Sequence, residues 1–301
     1  MKGLVIIGAG PAALTAAIYA AREGVETTVY EKTSFGGQVA TIDRIENYPG
    51  FVDGVDGRDL AESMRAQAER FGAKLEYGEV TSLKADGENK ILVVDGETIE
   101  ARAVLVATGW TYNPLNVPGE EEYKNRGVHY CATCDGALYK GKKIVVVGGA
   151  NSAVQEAIFL TKFSKPVEIY ARTKVHPEKI LLDRLQTYIE KGEIIVHEKS
   201  IPEEIIGQDG HVTGLKINGE TVPADGIFIF AGIHPASEFL TDSGVGLDKY
   251  GYIETNETQE TSLAGVFVAG DIRAGSIKQI VTAAGEGATA ARAIRAYLQK
   301  R

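Results

Sequence analysis

Four apolar, mostly β-branched residues open the chain at Leu4-Val5-Ile6-Ile7, and a glycine turn, Gly8-Ala9-Gly10-Pro11, follows directly. Beyond the turn, small and apolar residues dominate to Ala21. An apolar run without polar alternation predicts a strand buried on both faces, and the alanine-rich stretch predicts a buried helix. Residues 3–21 carry no charge over 19 positions, long enough to be mistaken for a membrane span or a leader. The glycine–proline interruption in the middle predicts strand, turn and helix instead. A second strand is predicted at Glu26-Thr-Thr-Val-Tyr30.

The same shape returns 140 residues later (148 − 8). Ile144-Val-Val-Val147 runs into Gly148-Gly-Ala-Asn-Ser-Ala153, and Val167-Glu-Ile-Tyr170 supplies the next strand. A period this long is no solenoid and predicts two βαβ units of dinucleotide-binding type. Ala103-Val-Leu-Val-Ala-Thr-Gly109 predicts a strand ending on a glycine turn, with Pro114 and Pro118-Gly119 as a linker beyond it. Gly265-Val-Phe-Val-Ala-Gly-Asp271 predicts a short buried strand that delivers an aspartate at its exit, and 279–298 a closing helix. The segments around 74–100 and 193–230 are expected as β-hairpin-like insertions.

Composition narrows the class. A chain of 301 residues has room for two domains of roughly 150 residues, each with its own core. Its 35 glycines come with only 9 prolines and no Gly-X-Y repeat, which indicates many tight turns rather than collagen or disorder. Against 32 basic residues stand 41 acidic ones, a net charge of −9 with no basic run longer than two, so no nucleic-acid partner is expected. Two cysteines make neither a secreted disulfide scaffold nor a four-cysteine zinc site. No membrane partner is expected, and the predicted location is the cytoplasm.

In the first loop, Gly8 permits the tight turn, Gly10 lets backbone approach a pyrophosphate, and Ala13 lets the helix pack on the strand. The helix N-terminus offers free N–H groups to phosphate. Glu31, 23 residues after Gly8, ends the second strand where a carboxylate accepts from ribose hydroxyls. The competing reading is a glycine turn without a ligand. In the second loop Gly148 keeps the first position, but Ala150 stands at the second, and Ala171 replaces the acid. Arg172 then meets a 2′-phosphate or is a solvated loop charge. Asp271 either bonds a cofactor hydroxyl or caps a turn. Cys131-Ala-Thr-Cys134 places two thiols so that they can close a small disulfide ring at a helix start; zinc with His129 as third ligand is the alternative.

Cys131-Ala-Thr-Cys-Asp-Gly136 lying between two such units resembles the low-molecular-weight thioredoxin reductases over essentially the whole chain. The likeness extends to Gly36-Gly37-Gln38, Glu46-Asn47-Tyr48-Pro49-Gly50, Ala107-Thr108-Gly109, Gly270-Asp271, Lys278-Gln279 and Thr282-Ala-Ala-Gly-Glu-Gly287. It implies an α/β fold of two Rossmann-like (three-layer ββα-type) dinucleotide-binding domains, the second inserted in the first. The FAD-binding domain is expected at 1–114 and 242–301, and the pyridine-nucleotide-type domain carrying the cysteine pair at 115–241. FAD contacts are implied at Gly8, Gly10, Pro11, Ala12, Ala13, Glu31 and Lys32. Gly37, Gln38, Asn47, Ala107, Thr108 and Gly109 are implied as well, and toward the C-terminus Gly270, Asp271, Lys278, Gln279 and Ile280. Of the catalytic residues, the resemblance implies that Cys134 takes electrons from the flavin, Cys131 attacks the disulfide of thioredoxin, and Asp135 relays a proton. It implies a homodimer and hinges near Pro114, Pro118-Gly119 and 241–246.

The implied electron donor divides the family. Its NADPH-dependent members carry Gly-Gly-Gly-Asp-Ser-Ala and then an arginine-rich run, where this chain has Gly148, Ala150, Asn151, Ser152 and a single Arg172 followed by Thr173. Those departures resemble the branch that takes electrons from reduced ferredoxin, which is the expected donor, with NADPH at a degenerate site as the alternative. A flavin-binding dithiol oxidase or redox sensor stands as a further alternative.

Overall fold

A computed structural model describes residues 2–300; Met1 and Arg301, the outermost residues of the expected flavin domain, lie outside the described residues. The chain forms two compact units, Met1–Thr111 with His234–Arg301, and Tyr112–Ile233.

The first unit is built on a seven-stranded sheet. Lys2–Ile7 lies at its centre, parallel to Thr27–Glu31 on one side and Glu97–Val106 on the other. Lys74–Tyr77 adds a further parallel strand beyond Thr27–Glu31. Glu97–Val106 is shared along its length: its first half pairs antiparallel with Asn89–Val94, and its last residues pair parallel with Val266–Val268. Val80–Asp86 completes the antiparallel side. Alternation along the central strand sets the layers. Leu4 and Ile6 face a core with the helices Pro11–Arg22, Gly57–Arg70 and Ile280–Gln299. Val5 and Ile7 face a second core with Leu83, Leu92, Leu240 and Ile272. The charge-free stretch 3–21 is therefore a strand and a 12-residue helix, and no helix among the described residues is long and apolar enough to cross a membrane.

The second unit repeats the plan on a five-stranded parallel sheet in the order Ile194–His197, Val167–Tyr170, Ile144–Val147, Gly226–Ile229, Val128–His129. Ile144 and Val146 face the helix Asn151–Leu160, while Val145 and Val147 face Ile205, Leu215 and Ile217 of a three-stranded antiparallel sheet. The second unit is thus a parallel sheet between a helical and an antiparallel β layer, while in the first the antiparallel strands continue the main sheet.

Three expectations are corrected. Residues 74–77 and 194–197 are parallel edge strands of the main sheets, and 226–229 is an interior one; the antiparallel hairpins are confined to residues 80–106 and 202–223. The chain crosses between units at 111/112 and 233/234, where the sequence suggested 114/115 and 241/242. Leu240 is buried in the first unit's core and Thr108 Oγ1 donates to Ala236 O at 2.8 Å, which ties 234–241 to that unit. The suggested hinges lie inside the units: Pro118 O accepts from Ile205 N–H at 2.9 Å, and the Ser243 hydroxyl is buried on Leu240 O.

Candidate active site

The first glycine loop is held from both sides. Gly8 has φ +94°, and a Cβ there would lie 2.6 Å from Ala107 O, so the fold itself demands glycine. Its N–H donates to Tyr30 O at 2.8 Å, and Ala9 N–H donates to Glu31 Oε2 at 2.8 Å. Glu31 Oε1 accepts from the N–H and hydroxyl of Thr33, at 2.8 and 2.9 Å. The carboxylate is locked at the strand end beside the loop, with one lone pair, on Oε2, to spare for a hydroxyl. Gly10 is different. Its φ is −76°, and a Cβ built on it meets nothing within 4 Å. No steric contact demands glycine here, and the space at the start of the helix Pro11–Arg22 is open. Pro11 fills the first helical position, and Ala12 and Ala13 are buried.

Several expected contacts gather on this loop. A Cβ on Gly37 would lie 3.3 Å from Gly10 Cα, and one on Gly270 2.9 Å from Ala12 Cβ. Gly287 packs its backbone so closely on Ala12 O that a Cβ would come within 2.2 Å. Gln38 sits in the short turn Gly37–Thr41, and Asn47 Nδ2 donates to Gln279 Oε1 at 3.0 Å. Gln279 in turn caps the helix that Ile280 opens. Ala107 N–H donates to Ile7 O at the strand end, ahead of Thr108 and the Gly109 turn, where φ is +67°. Lys32 Nζ lies 3.5 Å from Glu79, and Lys278 Nζ sits 4.4 Å over the Tyr252 ring, where its charge still acts on Asp271.

Asp271 carries the strongest sign of a missing partner. Its Oδ2 accepts from Trp110 Nε1–H at 3.0 Å, but Oδ1 is buried with no hydrogen bond. Burial pushes this carboxyl up, although the Trp110 N–H, the Lys278 charge and a hydrogen bond from Ser276 pull the other way. A buried acceptor without a partner costs ~1–3 kcal/mol, which leaves Oδ1 free to accept from a donor that enters the site. With the space at Gly10 and the fixed Glu31, these residues fit FAD. Sequence reasoning missed Trp110, the chain's one tryptophan, and Glu286, which accepts from Gly270 N–H at 2.8 Å and pairs with Arg273.

In the second unit, Gly148 (φ +144°) again fixes the turn. Ala150 precedes its helix with φ −94° and ψ −172°, nearly the backbone of Gly10 at −76° and −177°. The polar groups around this helix start are already engaged. Asn151 Oδ1 accepts from Glu178 N–H at 2.7 Å, Gly149 O accepts from His176 N–H at 2.8 Å, and Ser152 shares a hydrogen bond with Tyr112. Burial pushes the Tyr112 phenol up to about 12. A cavity of about 460 Å³ remains, bounded by Tyr112, Ala150, Phe230, Ile233 and the Glu178 segment. Arg172 is exposed.

The cysteine pair is a disulfide, with Cα atoms 5.3 Å apart. Cys131 caps a single helical turn, Ala132–Asp135, and its Sγ accepts from Cys134 N–H at 3.2 Å. One turn carries little of the dipole expected of a longer helix. Cys131 is half-buried and Cys134 exposed. His129, considered above as a zinc ligand, is buried: Nε2 lies 2.7 Å from the Tyr139 hydroxyl, and Nδ1 lies 3.0 Å from Asp135 Oδ2.

Residues 2–287 match the pyridine nucleotide-disulphide oxidoreductase family. The thioredoxin reductase of Bacillus subtilis strain 168 is 41% identical over 303 residues, covering 99% of this chain and 95% of its own. The crystal structure of Lactococcus lactis thioredoxin reductase superposes with a TM-score of 0.91 at 36% identity, covering 100% of both chains. A ferredoxin-flavin thioredoxin reductase from Clostridium acetobutylicum matches with a TM-score of 0.55 at 30% identity, covering 99% of this chain and 98% of its own.

Proposed function

This chain belongs to the pyridine nucleotide-disulphide oxidoreductases, on their low-molecular-weight thioredoxin reductase branch, and from that premise we propose that it reduces thioredoxin with electrons from reduced ferredoxin. It is an FAD-dependent disulfide oxidoreductase. Bound FAD would supply the chemistry that converts two one-electron transfers from ferredoxin into the two-electron reduction of a disulfide. Glu31 and Asp271 hold cofactor hydroxyls, and the helix start at Gly10 faces the pyrophosphate. Cys134 takes the electrons, Cys131 exchanges with the thioredoxin disulfide, and Asp135 protonates the leaving sulfur, because a thiolate leaves more readily when it can be protonated. A homodimer belongs to the same reading.

The observation that carries the donor assignment is the pair Gly10 and Ala150. Their backbones are nearly the same, and in neither case does the protein's own packing decide between glycine and alanine on conformational grounds. A glycine kept at such a position answers to a ligand; a methyl group there stands where a pyrophosphate would approach. The engaged Asn151 and Ser152 side chains, and the Glu178 segment at the cavity, support the same reading. The likeness to a ferredoxin-flavin thioredoxin reductase adds to it.

The second reading retains NADPH, and the exposed Arg172 favours it, since a guanidinium suits a 2′-phosphate. Anaerobic titration of the yellow protein separates the two. Reduced ferredoxin is expected to bleach the flavin band fully, with NADPH and NADH leaving it largely intact. Full, rapid bleaching by one equivalent of NADPH would reject ferredoxin as the donor. Absence of thioredoxin turnover with every donor would instead favour the redox sensor. Ala150→Gly combined with Thr173→Arg is expected to tighten NADPH binding by roughly tenfold or more, as one new charge-assisted phosphate contact allows. Unchanged affinity, measured by the same titration, would mean that other groups close the site.

A further inference from the structure

His129 is 2% exposed, yet both of its ring nitrogens meet groups that exchange protons. Nδ1 lies 3.0 Å from Asp135 Oδ2, in ion-pair range but out of line for a hydrogen bond. Asp135 is the half-exposed partner, at 29%, so a small turn of its carboxylate brings the two into line. Nε2 lies 2.7 Å from the Tyr139 hydroxyl. The ring itself is fixed by stacking on Phe228, with centroids 5.3 Å apart, and by its edge contact with Tyr139.

A purely structural buried histidine needs one satisfied protonation state. With the Asp135 carboxylate turned into line, this one has two. When the ring is charged, Nδ1–H donates to the Asp135 carboxylate and Nε2–H donates to the Tyr139 oxygen. When the Nδ1 proton has passed to Asp135, Nδ1 accepts from the carboxyl O–H, and Nε2–H still donates to the Tyr139 oxygen. Burial, followed by the Asp135 and Asp225 charges, pushes the Tyr139 phenol up, so it stays protonated and its oxygen is the fixed acceptor for Nε2–H.

We propose that His129 is a positioning residue for Asp135 and that the two together store one proton, which Asp135 delivers to the sulfur leaving a partner disulfide. The proposal rests on the reading of Asp135 as proton donor given above. The exchange balances as follows. The Cys131 thiolate forms a bond to one partner sulfur while the partner S–S bond breaks. The leaving thiolate takes the stored proton and departs as a thiol. The Cys134 thiolate then attacks Cys131, which restores the Cys131–Cys134 disulfide and releases the second partner sulfur; that sulfur takes its proton from solvent. The partner gains two electrons, and the cysteine pair loses the two it received from reduced FAD. The store refills from water through Asp135.

The charged and titratable groups around His129 are Asp135 and Tyr139 beside it, with Asp225 and Lys142 acting on Tyr139; the Lys142 Nζ sits 5.6 Å over the Tyr139 ring. The test uses FAD-loaded protein, reduced anaerobically with dithionite and mixed with oxidised thioredoxin between about pH 5.5 and 9, spanning the range in which a histidine titrates. Thiols released in one turnover are counted after acid quench. In the wild type the rate falls on the alkaline side as the pair loses its proton. In His129→Phe, which keeps the stack on Phe228, Asp135 holds the proton alone and the alkaline limb is expected to move down by roughly one pH unit or more, toward a carboxylate's own range. Tyr139→Phe removes the acceptor of the charged ring and is expected to move the limb in the same direction by less. This variant carries the test if His129→Phe fails to yield folded yellow protein. A loss of rate that is uniform across pH, or an unmoved limb, would overturn the proposal. Asp135→Asn separates the two levels: it is expected to slow the exchange by about 10²-fold or more, as loss of a general acid does. A wild-type rate in Asp135→Asn would reject the role of Asp135 itself. A slow Asp135→Asn beside an unmoved limb in the other variants would reject only the proton store.

Discussion

Cys134→Ser is expected to yield a yellow, FAD-loaded protein whose thioredoxin turnover is down by roughly 10³-fold or more. FAD binding is expected to survive because Gly10, Glu31 and Asp271, the residues proposed to hold the cofactor, belong to the unit Met1–Thr111 with His234–Arg301, whereas Cys134 is exposed in the unit Tyr112–Ile233. Folding survives because the ring closes over a sequence separation of only 3, so its loss frees little chain. Chemistry does not survive: a hydroxyl cannot close a disulfide, and without one there is no two-electron carrier beyond the flavin. The variant also tests which sulfur meets the partner. Cys131 is left as a lone thiol, able to attack a thioredoxin disulfide and unable to be released, so a mixed disulfide accumulates and is visible by mass or on a non-reducing gel. Cys131→Ser is expected to trap nothing. The exposure in the structure makes this a sharp comparison, since Cys134 is the more accessible of the two. Capture by Cys131→Ser and none by Cys134→Ser would exchange the two roles.

The central strands and the glycine loops were legible because each is a local pattern. An apolar run, a glycine needing positive φ and a row of small helical residues all lie within about 20 residues of one another, within one βαβ unit. The edge strands were not. Lys74-Leu-Glu-Tyr77 is half polar and largely exposed, and only the neighbouring strand Thr27–Glu31 gives it a direction. The unit boundary moved because Leu240 reaches a core assembled from strands far away in sequence. At the sites, the residues proposed to hold a cofactor and those that carry sulfur stand in recognisable motifs, while the side chains that pack and bond them do not. Trp110 meets Asp271 across 161 residues, and Glu286 holds Gly270 through a backbone N–H. His129 was noticed as a metal ligand by its nearness to the cysteines; its actual partners, a phenol and a carboxylate, follow from the fold of one tight segment rather than from residue type.

Gly10→Val separates the demands of the fold from those of the cofactor. The apoprotein is expected to fold with at most a small loss of melting temperature, from the poorer helix cap, because φ at this position is −76° and a Cβ built there meets nothing within 4 Å. FAD affinity is expected to fall by roughly 100-fold or more, since the new side chain stands between the helix N-terminus and the pyrophosphate it would bind. Gly8→Ala is the opposite control. At φ +94° with Ala107 O only 2.6 Å from a new Cβ, it strains the backbone before any ligand arrives, and a loss of about 1–3 kcal/mol is expected in the apoprotein itself. Equilibrium dialysis with FAD and thermal melts of both apoproteins read the two effects independently. Wild-type affinity in Gly10→Val would move the cofactor away from this loop; a strongly lowered apoprotein melt would mean that glycine is kept for folding. The alanine at 150, on nearly the same backbone, is already that experiment in the second unit: the fold tolerates the methyl group, and whatever bound a pyrophosphate there would have had to displace it.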